Sequence, residues 1–464
     1  MVFCGICPHP PIVVPEVGRD EAVRVAATQL ALLELGRRLK DSGAETVVII
    51  SPHGSVFENA VGINGRPVLQ GDLAHFRAGQ VRFELENDLP LVRAIQQQAG
   101  GLGLTVVELT PELERQYDLS LGLDHGVTVP LYFLRKAGLE LPLVPVSMAV
   151  APPERLYLFG AAVRAAAEAL GRRVALLASG DLSHCLTPDA PGGYQPRGEE
   201  FDRRIAGLLS VSDVEGLLKL EPSLVREAGE CGYRSILMML GALDGREVKA
   251  EVLSYEGPFG VGYLVASYKP GAASPGSSLL ARLQAEEREK AAHRRAGESY
   301  LVKFARETLE RHVRGVPAPL PGEVPEAFRG RAGVFVSIKK QGQLRGCIGT
   351  IEPTRKDIVE EVAANAVSAG IHDPRFHPVF KEELDELEYS VDVLQPPEPV
   401  AGLDQLDPLK YGVVVRSGRR SGLLLPNLEG IDTAGEQVAI ARQKAGIGPD
   451  EPVRLERFEV IRYR

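Results

Sequence analysis

Up to Lys269 the chain alternates between two apolar rhythms. Short unbroken apolar runs, rich in β-branched residues, occupy Phe3–Cys7, Thr46–Ser51, Leu143–Ser147, Val174–Ser179 and Gly262–Ser267. Such runs predict strands. Between them, apolar residues recur with helical spacing. They predict helices over Glu21–Ser42, Pro90–Ala99, Gly126–Arg135, Pro153–Leu170, Glu199–Leu209 and Ser235–Gly241. Strands with no polar face must be covered on both sides. Residues 1–268 are therefore expected to form an α/β domain, a mainly parallel sheet with helices on both faces.

The stretch KPGAASPGSS, Lys269 to Ser278, has no periodicity and is dense in Pro, Gly and Ser. It predicts a linker, which with the start of a connecting helix is assigned to 269–289. The mixed charges that follow fit a solvated helix face. Further on the rhythm changes. GVFVSIKKQGQLRGCIG and GVVVRSGRRSGLLLP each predict two strands around a polar turn, LEYSVDVL another strand, and GEQVAIARQKAGI a closing helix. A helix is predicted over Arg355–Ala369, capped by Thr354 with Asp357 and ended by Gly370. Residues 290–464 are expected to form a smaller α+β domain with an antiparallel sheet.

Bulk composition narrows the function classes. The 464-residue chain is 44% hydrophobic and 25% charged, with a net charge of −9 and a pI near 5.7. That balance argues against nucleic acid or an anionic membrane as the main partner, since both call for a clustered basic surface. The five cysteines, at 4, 7, 185, 231 and 347, are scattered and odd in number. They suggest a reducing, cytoplasmic setting rather than a disulfide framework. MVFCGICPHPP has neither the basic region nor the cleavage site of a signal peptide, and no apolar run approaches a membrane span. Cys4 and Cys7 form a CxxC inside a strand, a poor place for a redox dithiol.

Three histidines follow one rule. His9 comes just after the first predicted strand, His53 just after the second, and His184 after the VALLAS strand. Loops at the carboxyl ends of parallel strands converge on one crevice, so the three imidazoles can meet. His125 starts a helix and can join them; His75 has no such placement. A capping role explains one such histidine, but three at equivalent positions favour a metal site. Glu227, Glu230 and Cys231 precede an apolar helix and offer the anionic partner. Two imidazoles and one carboxylate hold Fe(II) and leave positions open. Asp181 is a candidate to orient a histidine.

In their order, PHPPIVV, SPHG, LDHG, SGDLSH, GECGYRS and PFGVGY resemble the class III extradiol ring-cleavage dioxygenases (LigB-like) and their Memo-like relatives. The dioxygenase resemblance implies His9, His53 and Glu230 as Fe(II) ligands, His184 as acid/base, and His125 positioning substrate or oxygen. The implied reaction joins O2 to a catechol-like or other bidentate small-molecule substrate. The Memo-like resemblance implies a site of His53, His184 and Cys231. It describes a protein that binds iron or copper and acts by engaging partners, without ring cleavage. Glu230 and Cys231 are adjacent, and the residues leave both readings open, as they do a metal-free scaffold and a homo-oligomer.

LRGCIGT, HDPRFHPV and LLLPNLEG closely resemble the module called AmmeMemoRadiSam system protein A. That resemblance implies an α+β fold and a partnership with a radical-SAM enzyme and a Memo-like protein. Cys347 is a candidate nucleophile with Arg345 as positive neighbour and His372 or His377 as base. The alternative is a small thiol in a tight glycine-bounded turn or a partner surface. Asp373 is expected to fix its loop or join the site.

Overall fold

The computed structural model describes residues 1–340, 342–428 and 430–464. The chain divides into two compact units, Met1–Leu283 and Gln284–Arg464.

In the first unit eight strands form one sheet: β1 (Phe3–Cys7), β2 (Thr46–Ser51), β3 (Ala60–Asn64), β4 (Thr105–Leu109), β5 (Leu143–Ser147), β6 (Val174–Ser179), β7 (Arg246–Glu256) and β8 (Tyr263–Ala273). Their spatial order is β7-β8-β1-β6-β2-β5-β3-β4. The central four, β1, β6, β2 and β5, are mutually parallel. On one side β8 runs antiparallel to β1, and on the other β3 runs antiparallel to β5. Side chains alternate across each strand. Ile6, Val48, Ile50 and Leu176 therefore face one apolar core, and Val47, Ile49, Ala175 and Leu177 the other.

Helices α1 (Ala26–Asp41), α2 (Leu89–Gly101), α3 (His125–Lys136), α4 (Pro153–Ala169), α5 (Pro196–Ser210) and α6 (Tyr233–Gly241) complete the layers. α1 and α3 cover one face, while α2, α4, α5 and α6 cover the other. Each fully buried Val, Ile or Leu contributes roughly 1.5–3 kcal/mol, which explains why the apolar runs located these strands. Cys4 and Cys7, both buried and free, point into opposite cores. This geometry rules out pairing between them.

The expected linker is a correction. Lys269 and Pro270 continue strand β8 and pair with Lys249 and Val248, and Ala273 pairs with Arg246. A proline fits there because the pairing of β8 with β1 stops at Tyr268, so its missing N–H breaks no ladder on that side. The division between the units falls inside the helix Leu279–Ala296.

In the second unit, strands β9 (Val334–Lys340), β10 (Gln343–Thr350), β11 (Leu387–Leu394), β12 (Glu398–Val400), β13 (Gly412–Ser417), β14 (Arg420–Leu424), β15 (Arg454–Phe458) and β16 (Val460–Tyr463) form two antiparallel sheets. Their orders are β10-β9-β11-β16 and β12-β15-β13-β14. Helices α7 (Tyr300–Val313) and α8 (Ile358–Ile371) pack on the first sheet, and α9 (Ala434–Lys444) on the second. Asp357, not Thr354, caps α8 by accepting from the Glu360 amide. Thr354 instead donates to Glu361. Gly370 lies inside the helix rather than ending it. No helix among the described residues is long and apolar enough to cross a membrane.

Candidate functional site

Strands β1, β6 and β2 are neighbours and end level with one another, since Cys7 pairs with Ser179 and Ala178 with Ile50. His9, Asp181 and His53 each follow two residues past that common edge. The first turn of α3 brings His125 to the same place. The ring centroids of His9 and His53 are 4.7 Å apart, those of His53 and His125 4.1 Å, and those of His9 and His125 5.3 Å. The ligand nitrogens of these three histidines all lie within 4.8 Å of one another. His9, Asp181 and Cys231 form a second such group around the same imidazole.

The tautomer of His9 follows from its neighbours. The Ser179 hydroxyl donates its single proton to the Gly126 carbonyl. Its oxygen, 2.8 Å from His9 Nδ1, must therefore accept from the ring. The proton resides on Nδ1, and the Nε2 lone pair of His9 faces His53 Nε2 at 2.9 Å and Cys231 Sγ at 3.6 Å. Fixing one ring nitrogen so that the other is free for a metal is the usual outer-shell device. Here a serine supplies it. Asp181, expected to orient a histidine ring, accepts instead from the His9 backbone amide at 2.9 Å.

Burial, and then the charges of neighbouring imidazoles, keep this cluster neutral. Burial lowers His9 well below the ordinary histidine range, and charge on His53, His125 and His184 opposes its protonation further. His125 is pushed down to about 4 by burial and by His53. His184 is lowered for the same two reasons. Its buried Nε2 has no hydrogen-bond partner, an orphan that calls for a ligand or a proton-transfer partner. Burial pushes Asp181 up to about 7 and raises the Cys231 thiol well above its usual value. Neutral imidazoles beside a thiol and a carboxylate are donors that suit a transition metal. The arrangement fits the metal dependence typical of such sites.

Glu230 and Cys231 separate in space. The Glu230 carboxylate accepts from the Tyr233 amide at the start of α6, and burial pushes it up to about 7. It belongs to neither ligand group. The Asp181 amide, by contrast, donates to Cys231 Sγ at 3.2 Å. The turn can approach so closely because both chains carry glycine. A Cβ on Gly180 would lie 2.1 Å from the Gly232 Cα.

In the second unit the Cys347 amide donates to Asp373 Oδ2 at 2.9 Å, and Cys347 Sγ lies 3.2 Å from Ser337 Oγ. Arg345 does not serve the thiol. It forms a two-pronged pair with Glu383 at 3.1 and 2.8 Å. Asp373 is chelated by Arg375, which also donates to the Cys347 carbonyl. His372 and His377 are exposed. No hydrogen bond or ion pair among the described residues joins either to Cys347. Gly346 is required by packing: a Cβ there would lie 2.1 Å from the Ala369 carbonyl of α8.

Residues 4–266 match the family described as the catalytic LigB subunit of aromatic ring-opening dioxygenase, and residues 302–464 match the family AMMECR1. The chain belongs to the LigB family, with an AMMECR1 module following the LigB domain. Protein CA_C1420 of Clostridium acetobutylicum is 41% identical over 462 residues, covering 99% of this chain and 98% of that protein. A protein of Thermotoga maritima is 49% identical over 172 residues, 36% of this chain and 99% of its own. A solved structure of PH0010 from Pyrococcus horikoshii is 33% identical, with a TM-score of 0.33. It covers 36% of this chain and 89% of that one.

Proposed function

We infer that the first unit is a mononuclear non-haem Fe(II) oxygenase of the extradiol type, acting on a catechol-like or other bidentate diol. The observation that carries this reading is the convergence of His9, His53 and His125 at one sheet edge, with His9 Nε2 bare of its proton. His9 and His53 are assigned as ligands. Iron bound there would supply the redox chemistry that joins O2 to the diol. His184 is assigned to proton transfer. Its Nε2 has no partner in the protein, and a neutral imidazole takes a hydroxyl proton from the diol and returns it later. His125, with Phe76 edge-on at 5.4 Å, offers an aromatic wall against which a ring can be positioned.

Cys231, whose thiol lies 3.6 Å from His9 Nε2, supports a second reading, in which this thiol and the neighbouring imidazoles hold iron or copper and the protein acts through partner proteins. A thiol is a soft donor that suits Cu(I) better than a carboxylate does. Metal analysis with O2 uptake on catechol separates the two. The dioxygenase reading expects iron-dependent uptake that His184→Ala suppresses while iron is retained. Iron-loaded protein that consumes no O2 with a panel of diols, and loses its metal on Cys231→Ser, supports the second reading instead.

A further inference from the structure

Strands β6, β2 and β5 each close on a buried serine, Ser179, Ser51 and Ser147. The three stand level, because Ala178 pairs with Ile50 and Ser51 with Ser147. Two of these hydroxyls reach the start of α3. Ser179 Oγ donates to the Gly126 carbonyl. Ser51 Oγ donates to Asp124 Oδ1 at 2.7 Å and accepts from the His53 amide at 3.2 Å. The residues on either side of His125 are thus tied to the sheet edge, one by each serine. The Ser51 hydroxyl also ties the backbone of His53 to the same turn. Gly126 permits this approach: a Cβ there would lie 2.3 Å from Ser51 Oγ.

Asp124 stands at the N-cap of α3, where an aspartate ordinarily accepts from the second or third amide of the helix. The Gly126 and Val127 amides favour its charged form, yet no side-chain capping hydrogen bond forms. The carboxylate turns to Ser51 instead. Forgoing the cap sacrifices helix stability. What the diverted carboxylate fixes is the relation of His53 to His125, whose rings stack with centroids 4.1 Å apart.

We propose that Ser51 and Asp124 are positioning residues, joined by one hydrogen bond that holds His53 and His125 in the arrangement a metal requires. The inference rests on the metal site proposed above, but not on its oxygenase activity. Neither residue belongs to a ligand group; both act through the histidines next to them in the chain. The pair does for His53 and His125 what Ser179 does for the ring of His9, an outer-shell task.

Co(II) titration of the metal-free, full-length protein tests this, with affinity and the visible ligand-field bands as readouts. Loss of binding on His9→Ala assigns the bound Co(II) to this site. Asp124→Ala and Ser51→Ala should each weaken Co(II) binding about 10–100-fold and shift the bands. The double variant should be no more than about threefold weaker than the weaker single, since both remove one interaction. Asp124 is also an electrostatic neighbour of His53, so Asp124→Asn separates charge from hydrogen bonding. It keeps an acceptor for Ser51 and should bind within about threefold of the wild type, with unshifted bands. Asp213→Ala removes the cap of the helix Val214–Leu218, and should leave both readouts unchanged. An Asp124→Ala protein that melts earlier but binds Co(II) as the wild type does overturns the proposal. So does Asp124→Asn as weak as Asp124→Ala, or full additivity in the double variant. Wild type that binds no Co(II) overturns the metal site and this inference together. Wild type that binds Co(II), yet consumes no O2 with diols when iron-loaded, sinks the oxygenase reading alone, and the affinities still decide the role of the pair.

Discussion

The two units bring reactive side chains together by opposite electrostatic means. In the first, His9, His53, His125 and His184 are crowded until burial and mutual repulsion keep them uncharged. The local carboxylates and thiol are likewise pushed towards their neutral forms. In the second, the charges persist: Asp373 is held well below the usual carboxylate range by Arg375, and Arg462 and Arg345 grip carboxylates of their own. A neutral nest of lone pairs is the form that accepts a metal cation. A set of matched ion pairs is the form that fixes a turn, as Asp373 and Arg375 do around Cys347. The same residue types thus form a donor set for a metal in one unit and a fixed turn in the other, according to whether burial leaves them neutral or pairing keeps them charged.

The sharpest way to break this contrast is to move the metal. His9→Ala should reduce metal affinity by more than about 100-fold, while Cys347→Ser leaves it unchanged, as measured by metal titration. A loss on Cys347→Ser would place the metal in the wrong unit. Both units also depend on a backbone approach that only glycine permits. Gly180→Ala and Gly346→Ala each drive a Cβ to 2.1 Å from backbone. Each should cost roughly 2–4 kcal/mol in denaturant unfolding. A variant with wild-type stability would show that its turn can move aside.

The neutral character of the first unit has a pH signature. Burial raises Asp202 from 3.8 to about 6, so the folded state holds a proton that the unfolded chain has released. The favourable contribution is complete below about pH 4 and is lost as pH rises through about 6, up to about 3 kcal/mol in all. Because the lowered histidines gain stability over the same window, the effect is read as a difference: in denaturant unfolding, the stability of the metal-free wild type minus that of Asp202→Asn should decline across it. A difference that instead rises with pH over this window would contradict a raised Asp202 carboxyl. A smaller effect is expected from Ser179→Ala, which removes the acceptor that holds the His9 proton on Nδ1. Metal affinity should drop about 10–100-fold. The smallest effect tests Glu230. Glu230→Gln keeps an acceptor for the Tyr233 amide and should change metal affinity less than about threefold. A loss as large as that of His9→Ala would restore the carboxylate as a ligand.

Local chemistry made much of this molecule legible from its residues alone. The apolar runs of β1, β2, β5 and β6 identified buried strands because each side chain must face one of two cores. The equal offset of His9 and His53 from their strands carried the metal hypothesis, because parallel strands that end level deliver equivalent residues to one edge. The shift from continuous to hairpin patterning announced the second fold. Other features depend on three-dimensional placement. The end of β8 through Pro270 reads as a linker because its pairing partner, near Val248, supplies order that composition lacks. Ser179 is inconspicuous in sequence; it orients His9 only because the Gly126 carbonyl, on a separate helix, consumes its proton. Glu230 and Cys231 are adjacent and equally plausible on paper. Tertiary structure separates them, turning the carboxylate to the start of α6 and the thiol to His9.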